Sequence, residues 1–166
     1  MRGDSGSPSG PGEAPIRPAR GATGFRDRRD GPLPATDPKL FRAACFEAAR
    51  GVRGRADVLT IPGPSTFEAA TITGRGEPCT VVCHAHLPLV AFTDTPPEPG
   101  RPLSRFVDPP PWADAFGAVG LRALRVTELS TPMSTVDVGE LSAGELEQVR
   151  YWRPAALSDL LFHWWD

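Results

Sequence analysis

Apolar residues first recur at helical spacing directly after residue 36. Asp37 suits a helix N-cap because its carboxylate can accept hydrogen bonds from free amides, and Pro38 suits the first helical position. The apolar residues that follow share one helix face: Leu40, Phe41, Ala44, Cys45, Ala48 and Val52. Gly51 and Gly54 predict the end of the helix. Because Cys45 lies on the apolar face, it is predicted to be a small core residue.

Short runs with strand-like composition follow this helix. They span residues 56–61, 66–73, 79–86 and 89–93. Residues 62–64 and 74–78 are rich in Gly and Pro and predict turns between the first three runs. Because consecutive strands joined by short loops pair readily as neighbours, the pattern favours an antiparallel sheet.

A proline-rich stretch separates these strands from the second half of the chain. Residues 96–111 contain seven prolines, which predicts a long loop rather than a helix or a central strand. Asp108 is placed to cap a helix at about residues 110–119. Residues 121–127 predict one more strand.

The C-terminal part of the chain predicts two further helices. Ser142 and Glu145 have the spacing of a capping box, so a helix is expected from there to about residue 152. A last helix is expected at about residues 155–165. Together the elements predict one α+β domain at residues 37–166, a small antiparallel sheet with helices packed on it.

Residues 1–36 have a different character from the rest. They are rich in Gly, Pro, Ser and Arg and hold a single aromatic residue, Phe25. Such a segment cannot bury enough apolar surface to offset its chain entropy, so it is predicted to be a disordered tail. Its cluster of Arg26, Arg28 and Arg29 is either a docking arm or a solvated basic segment.

Composition and charge narrow the functional classes. The net charge of −2 over 166 residues gives no general attraction to nucleic acid or to an anionic membrane. Of the 18 basic residues only Lys39 is a lysine, and the abundance of Arg, Ala, Gly and Pro is typical of a high-GC genome. The odd number of cysteines, the absence of an apolar leader and the length of the chain favour reduced thiols and a cytoplasmic location.

The densest group of potential metal ligands lies on the run at residues 79–86. Alternation places His84 and His86 on one strand face with Cα atoms about 6.6 Å apart, so both imidazoles could bind one divalent metal ion. The alternative is a structural histidine pair at a strand end. A complete metal site would need a third ligand, for which Asp94 and Glu68 are candidates through tertiary contact.

The two cysteines of the same run do not fit a shared site. Cys79 and Cys83 are predicted on the face opposite to His84, about 13 Å apart, which is too far for one zinc ion or a disulfide. Cys83 and His84 are neighbours that point to opposite faces, so a catalytic thiol–imidazole pair is not favoured. No complete catalytic or cofactor-binding motif is present in the sequence.

Aromatic residues suggest a surface that binds another protein. The C-terminal region holds three of the four tryptophans and the only tyrosine. The predicted partner-binding residues are Trp112, Tyr151, Trp152 and Trp165, because Trp and Tyr are enriched in binding hot spots. The alternative is that these aromatic side chains fill the core under two short helices.

The C-terminal motif also carries a resemblance. Arg150-Tyr151-Trp152-Arg153-Pro154, followed by Leu161-Phe162 and Trp164-Trp165-Asp166, resembles the C-terminus of an uncharacterised actinobacterial family labelled natural-product biosynthesis proteins. The stretch at residues 106–112 is similar to the same family, and the resemblance covers roughly residues 56–166. It implies a genomic setting in natural-product biosynthesis, without an activity, a cofactor or a catalytic residue.

Three functions remain open at this point. The first is a non-catalytic accessory or protein-binding module, with another protein as its partner and neither nucleic acid nor membrane as a ligand. The second is a small metal-dependent enzyme that uses His84 and His86. The third is an immunity protein that neutralises a toxin.

Overall fold

A computed structural model of the chain describes residues 16–29 and 31–164. Within these residues the protein forms a six-stranded, mostly antiparallel sheet with five α-helices packed on it. This architecture confirms the predicted α+β fold class. Residues 1–15 of the predicted tail and Trp165 of the predicted partner surface lie outside the described residues.

The strands follow one another across the sheet. Their bounds are β1 Arg55–Val58, β2 Phe67–Thr73, β3 Cys79–His84, β4 Leu89–Thr93, β5 Phe106–Val107 and β6 Arg122–Ala123. The first five pair in sequence order and are antiparallel, with Glu68 opposite Cys83 and Val82 opposite Ala91. Strand β6 pairs with β4 in parallel at its Leu89 end. Strand β3 pairs with one edge of β4. At the other edge of β4, β6 pairs with its first two residues and β5 with its last two residues.

The helices cover both faces of this sheet. Their bounds are α1 Pro38–Gly51, α2 Asp114–Gly117, α3 Val126–Leu129, α4 Ala143–Trp152 and α5 Leu157–Leu161, with 3-10 turns at Pro111–Ala113 and Met133–Thr135. Helix α1 begins as predicted, because Asp37 accepts a hydrogen bond from the amide of Lys39. The predicted capping box of α4 is also present between Ser142 and Glu145.

Alternation along the strands builds two separate cores. Val81 and Phe92 point to the face covered by α1 and α2, and their neighbours Val82 and Ala91 point to the face covered by α3 and α5. This two-residue period is the normal geometry of a strand buried on both faces. The prediction that Cys83 and His84 point to opposite faces follows the same rule, since Cys83 belongs to the core under α1 and the His84 ring contacts Phe162 of the other core.

Several predicted elements are shorter or differently placed. Asp108 was expected to cap the helix that follows it, but its carboxylate accepts a hydrogen bond from the amide of Val126 at the start of α3. The predicted strand at residues 121–127 is reduced to two residues because α3 begins at Val126. The last helix ends at Leu161, after which Trp164 forms an antiparallel bridge with Ser65.

The largest correction concerns the predicted tail. Residues 16–29 and 31–36, which we call the N-terminal strap, lie on the sheet face covered by α3 and α5 instead of forming part of a disordered segment. Ala22 and Thr23 are fully buried, and the amide of Thr36 donates to the carbonyl of Ala85. A methyl group on Gly144 of α4 would lie 2.9 Å from the Phe25 ring, so the strap packs closely on that helix. Hydrogen bonds and close packing therefore order a segment whose composition alone predicts disorder.

Candidate functional site

The buried carboxylate of Glu145 is the main anchor of the N-terminal strap. One of its oxygens accepts hydrogen bonds from the amides of Gly21 and Ser142. The other oxygen accepts from the amide and from the hydroxyl group of Thr23. The Thr23 hydroxyl oxygen in turn accepts a hydrogen bond from the amide of Phe25. The hydroxyl proton of Thr23 is therefore donated to Glu145. Four donors thus compensate the burial of a carboxylate that is fully shielded from solvent.

All three histidines of the chain hydrogen-bond to backbone carbonyls of the strap. The Nε2 atoms of His84 and His163 lie 2.8 Å from the carbonyl oxygen of Ala22 and 2.9 Å from that of Thr23. The Nδ1 atom of His86 lies 2.9 Å from the carbonyl oxygen of Pro34. Because a carbonyl oxygen only accepts, each of these ring nitrogens is the donor. The histidines therefore hold the strap in place.

Both ring nitrogens of His84 are engaged. While Nε2 donates to the strap, Nδ1 accepts hydrogen bonds from the amides of His86 and Leu87, each at 3.0 Å. This pattern requires the neutral tautomer with the proton on Nε2. Burial lowers the pKa of His84 to about 4, against the opposing effect of its hydrogen bond to the Ala22 carbonyl. Burial also lowers the pKa of His163.

The proposed metal site at His84 and His86 lacks the features it would need. His84 could bind a metal only by giving up a hydrogen bond to the strap or two hydrogen bonds from the following turn. Neither candidate third ligand is nearby: Glu68 lies on the Cys83 face of the sheet, and Asp94 forms an ion pair with Arg105. No group of three potential ligands with metal-binding geometry occurs among the described residues. The pair is therefore part of the structural network around the strap.

The three thiols form no disulfide, and burial raises the pKa of each. Burial, with a smaller effect of Glu68, raises the pKa values of Cys45 and Cys83 to about 12. Burial, with a smaller effect of Asp94, raises the pKa of Cys79 to about 11. Because the thiolate is the nucleophilic form, none of these cysteines is prepared for catalysis.

The aromatic residues predicted to form one partner surface lie on two sides of the sheet. Trp112 packs on Phe92 and Phe116 in the core under α1 and α2. Trp152 packs on His163 on the opposite face, with ring centroids 4.2 Å apart and ring planes tilted by 52°. Tyr151, its neighbour on α4, is 88% exposed. Trp112 and the C-terminal aromatic residues therefore cannot contact the same small epitope.

A cleft of about 360 Å³ lies beside Trp152, and we call it the aromatic cleft. Its walls come from the proline-rich loop, the end of α4 and the end of the chain: Gly100, Pro102, Trp152–Ala155, Asp159 and Phe162–Trp164. The indole nitrogen of Trp164 donates to the carbonyl of Arg101, which fixes the loop wall. The carboxylate of Asp159 accepts from the amides of Ala155 and Ala156 and fixes the turn before α5.

Arg153 occupies an unusual backbone conformation at the edge of this cleft. It is the C-cap of α4 and has a left-handed conformation with φ of 54°. A glycine would adopt this conformation without steric cost, whereas an arginine is strained there. Strain of this kind is concentrated at functional sites, and Arg153 lines the aromatic cleft.

The sequence predicts Trp152 and its neighbour Tyr151 as surface residues that bind a partner. It does not predict that Trp164, Arg153 and Asp159 line a cleft beside Trp152. Pro154 disfavours helical backbone at Arg153, so the end of α4 was predictable, but the same rule favours extended backbone there and does not give the left-handed conformation. The position of Trp164 depends on its bridge to Ser65, a contact between distant parts of the chain that no local pattern reveals.

Comparisons of this chain with protein-family models, with curated proteins and with solved structures find no match. None of the described helices combines the length and the apolar character that crossing a membrane requires.

Proposed function

We propose that the protein is a non-catalytic protein-binding module and that the aromatic cleft, together with Tyr151, is its partner surface. The observation that carries this proposal is the exposure of Tyr151. Its side chain is 88% exposed, and it immediately precedes the cleft residues Trp152 and Arg153 in the sequence. Tyr, Trp and Arg are the residue types that dominate binding hot spots, and here they are consecutive.

The state of the reactive groups supports a binding role. The histidines donate to the strap, the thiols are protonated, and the one fully buried carboxylate is satisfied by four donors. The three histidines and the buried carboxylate are thus used in the fold. Three free cysteines also fit a reducing compartment, which supports our proposal of a cytoplasmic location.

The resemblance of the C-terminal motif suggests the setting of the partner. We propose a protein of a natural-product biosynthetic system, bound through the same residues that carry the resemblance, Tyr151-Trp152-Arg153. A toxin is the alternative partner. The two are separated by what the captured protein does, since a toxin would inhibit growth and lose this activity when the module is bound.

Photo-crosslinking in the native cell tests the partner surface. A benzoyl-phenylalanine placed at position 151 should cross-link to one protein, because the side chain there is exposed and makes no core contact. The matched control carries the same group at Val58, an exposed position on the edge strand β1. Equal cross-linking from both positions, or none from 151, would contradict the proposal.

Binding measurements with the purified partner then test the energetics. Tyr151→Ala should weaken binding by about 30-fold, which corresponds to about 2 kcal/mol for a hot-spot aromatic residue. Val58→Ala should leave affinity unchanged. An unchanged affinity of the Tyr151→Ala variant would show that the captured protein binds elsewhere.

A further inference from the structure

Helix α1 exposes a row of basic residues along one side. Lys39, Arg42, Phe46, Arg50 and Arg53 follow one another at spacings of three or four residues, which places them on one face of a helix and its C-terminal turn. All five are exposed to solvent. We call this row the basic stripe. It lies on the side of the sheet opposite to the aromatic cleft, since α1 covers the core that contains Phe92.

Three of the four positive charges of the stripe have no ion-pair partner among the residues that the structure describes. Arg50 pairs with Glu47 at 3.3 Å, and both side chains are mostly exposed. Lys39, Arg42 and Arg53 form no ion pair with any other described residue. Lys39 and Arg42 are three residues apart, and so are Arg50 and Arg53, so each pair repels at a distance typical of neighbouring positions on a helix.

Phe46 lies in the middle of these charges and is 54% exposed. The chain has eight phenylalanines, and the other seven are buried or half-buried in the structure. A single exposed Phe is common on protein surfaces, but here it is flanked by cations on both sides along the helix. The combination gives the stripe an apolar centre with a basic rim.

Arg53 adds an independent indication. It has a left-handed backbone conformation with φ of 52°, directly after α1, and Gly51 and Gly54 lie on either side of it within two positions. A glycine at position 53 would close the helix with less strain. The exposed basic side chain of Arg53 forms the C-terminal end of the stripe.

We propose that the basic stripe docks an acidic protein surface, best matched by an acidic helix, with an apolar recess that receives Phe46. Arginine and aromatic residues are enriched at the centres of protein interfaces, and complementary charge sets the register and the association rate. A membrane is a poorer match because one exposed aromatic side chain offers little apolar surface for insertion. Nucleic acid is a poorer match because the stripe is a single helix face with one aromatic side chain, whereas proteins that bind single strands use a basic groove with several aromatic side chains that stack on bases. The module can then hold two partners on opposite sides of its sheet.

Fluorescence anisotropy with a defined probe tests this docking surface. The probe is a labelled peptide of about 20 residues, designed as an amphipathic helix with an apolar stripe flanked by Asp and Glu. The full-length protein should bind it, and raising the salt from about 0.05 M to about 0.3 M should weaken binding about tenfold, because the attraction is electrostatic. Arg42→Glu and Phe46→Ser should each weaken binding about tenfold at low salt.

The controls separate this proposal from general charge attraction. Arg125→Glu makes the same charge change at an exposed position beside α3, on the other face of the sheet, and should bind the probe as the unchanged protein does. Circular dichroism should show that all variants remain folded, since the changed side chains are exposed. No binding of the probe, or equal weakening by Arg125→Glu and Arg42→Glu, overturns the proposal.

Two further probes test the class of partner. A labelled single-stranded DNA of about 20 nucleotides and vesicles with about 30% phosphatidylglycerol present the same negative charge without a protein surface. Both should bind more weakly than the acidic peptide. Tighter binding of either probe, lost in Arg42→Glu and Phe46→Ser, would assign the stripe to that ligand and overturn the assignment to a protein.

Discussion

Thr23 donates its hydroxyl hydrogen bond to the carboxylate of Glu145 at 2.6 Å, although the two residues are 122 positions apart in the chain. Both side chains are fully buried, and the same carboxylate also accepts the amide of Thr23 at 3.1 Å. This pair joins the N-terminal strap to α4. The local sequence predicts Glu145 only as the third residue of a capping box. Its role as the acceptor for the N-terminal strap depends on the tertiary fold.

The first prediction concerns Glu145→Gln. Each carboxylate oxygen accepts two donors, so the amide group of a glutamine would face two donors in either orientation. We expect a loss of about 2–4 kcal/mol in the free energy of unfolding, because buried donors are left without acceptors. Urea denaturation measures this loss. The exposed Glu147→Gln is the matched control and should change stability by less than about 0.5 kcal/mol. Equal stability of the two variants would refute the anchoring role.

The second prediction concerns stability against pH. Since burial lowers the pKa of His84 to about 4 in the folded protein, and an unfolded histidine titrates near about 6.5, the unfolded chain binds a proton first as the pH falls. Stability should therefore be fully present above pH of about 6.5 and decline below it, by about 1.4 kcal/mol per unit. His163 contributes in the same direction because its pKa is also lowered.

Urea denaturation between about pH 7.5 and pH 5 tests this dependence, because most carboxylates stay ionised over that range. A His84→Gln variant should be less stable at neutral pH and show a shallower decline. A flat profile for the unchanged protein would mean that His84 is accessible or already protonated.

The third prediction compares two glycines at the end of α1. A Cβ atom on Gly54 would overlap the carbonyl oxygen of Thr73 on the neighbouring strand, so Gly54→Ala should lose about 2 kcal/mol or more. A Cβ atom on Gly51 would meet no heavy atom within 4 Å. Gly51→Ala should therefore gain about 0.5–1 kcal/mol from the better helix propensity of alanine. Thermal unfolding of both variants measures the difference, and the same sign for both would contradict the close approach of Gly54 to the backbone of β2.

The fourth prediction separates stability from binding at Arg153. Arg153→Gly should raise the free energy of unfolding by about 1 kcal/mol, because glycine adopts the left-handed C-cap conformation without strain. The same variant removes a guanidinium group from the aromatic cleft and should weaken binding of the partner captured through position 151. A gain in stability with unchanged affinity would leave Arg153 outside the binding surface.

The sequence predicts those parts of the fold that depend on local signals. Helix α1 and the start of α4 follow from Asp37 and Ser142, whose side chains cap helices wherever they occur before an apolar face. The alternation of Cys83 and His84 between the two faces follows from strand geometry. What covers His84 depends on a segment 62 residues away, and no local rule gives that contact.

The candidate site was predictable only in part for the same reason. Tyr151 and Trp152 are adjacent aromatic residues, so the sequence alone indicates them as candidates. Trp112 was predicted to belong to the same surface, although it lies on the opposite face of the sheet from Trp152. Periodicity gives the face of a helix on which a residue lies and does not give the position of that helix relative to another. The N-terminal strap was missed because its order comes from polar contacts, whereas disorder is predicted from low apolar content.

The long sequence separations within the strap have a consequence for synthesis on the ribosome. Thr23 leaves the ribosome early, but its acceptor and donor partners at Glu145 and His163 follow 122 and 140 residues later. At usual translation rates the strap must wait on the order of ten seconds before it can dock. During that time the sheet face over His84 is uncovered in the nascent chain. Docking of the strap is therefore expected to follow synthesis of residues 145–163 and to be a late step of folding.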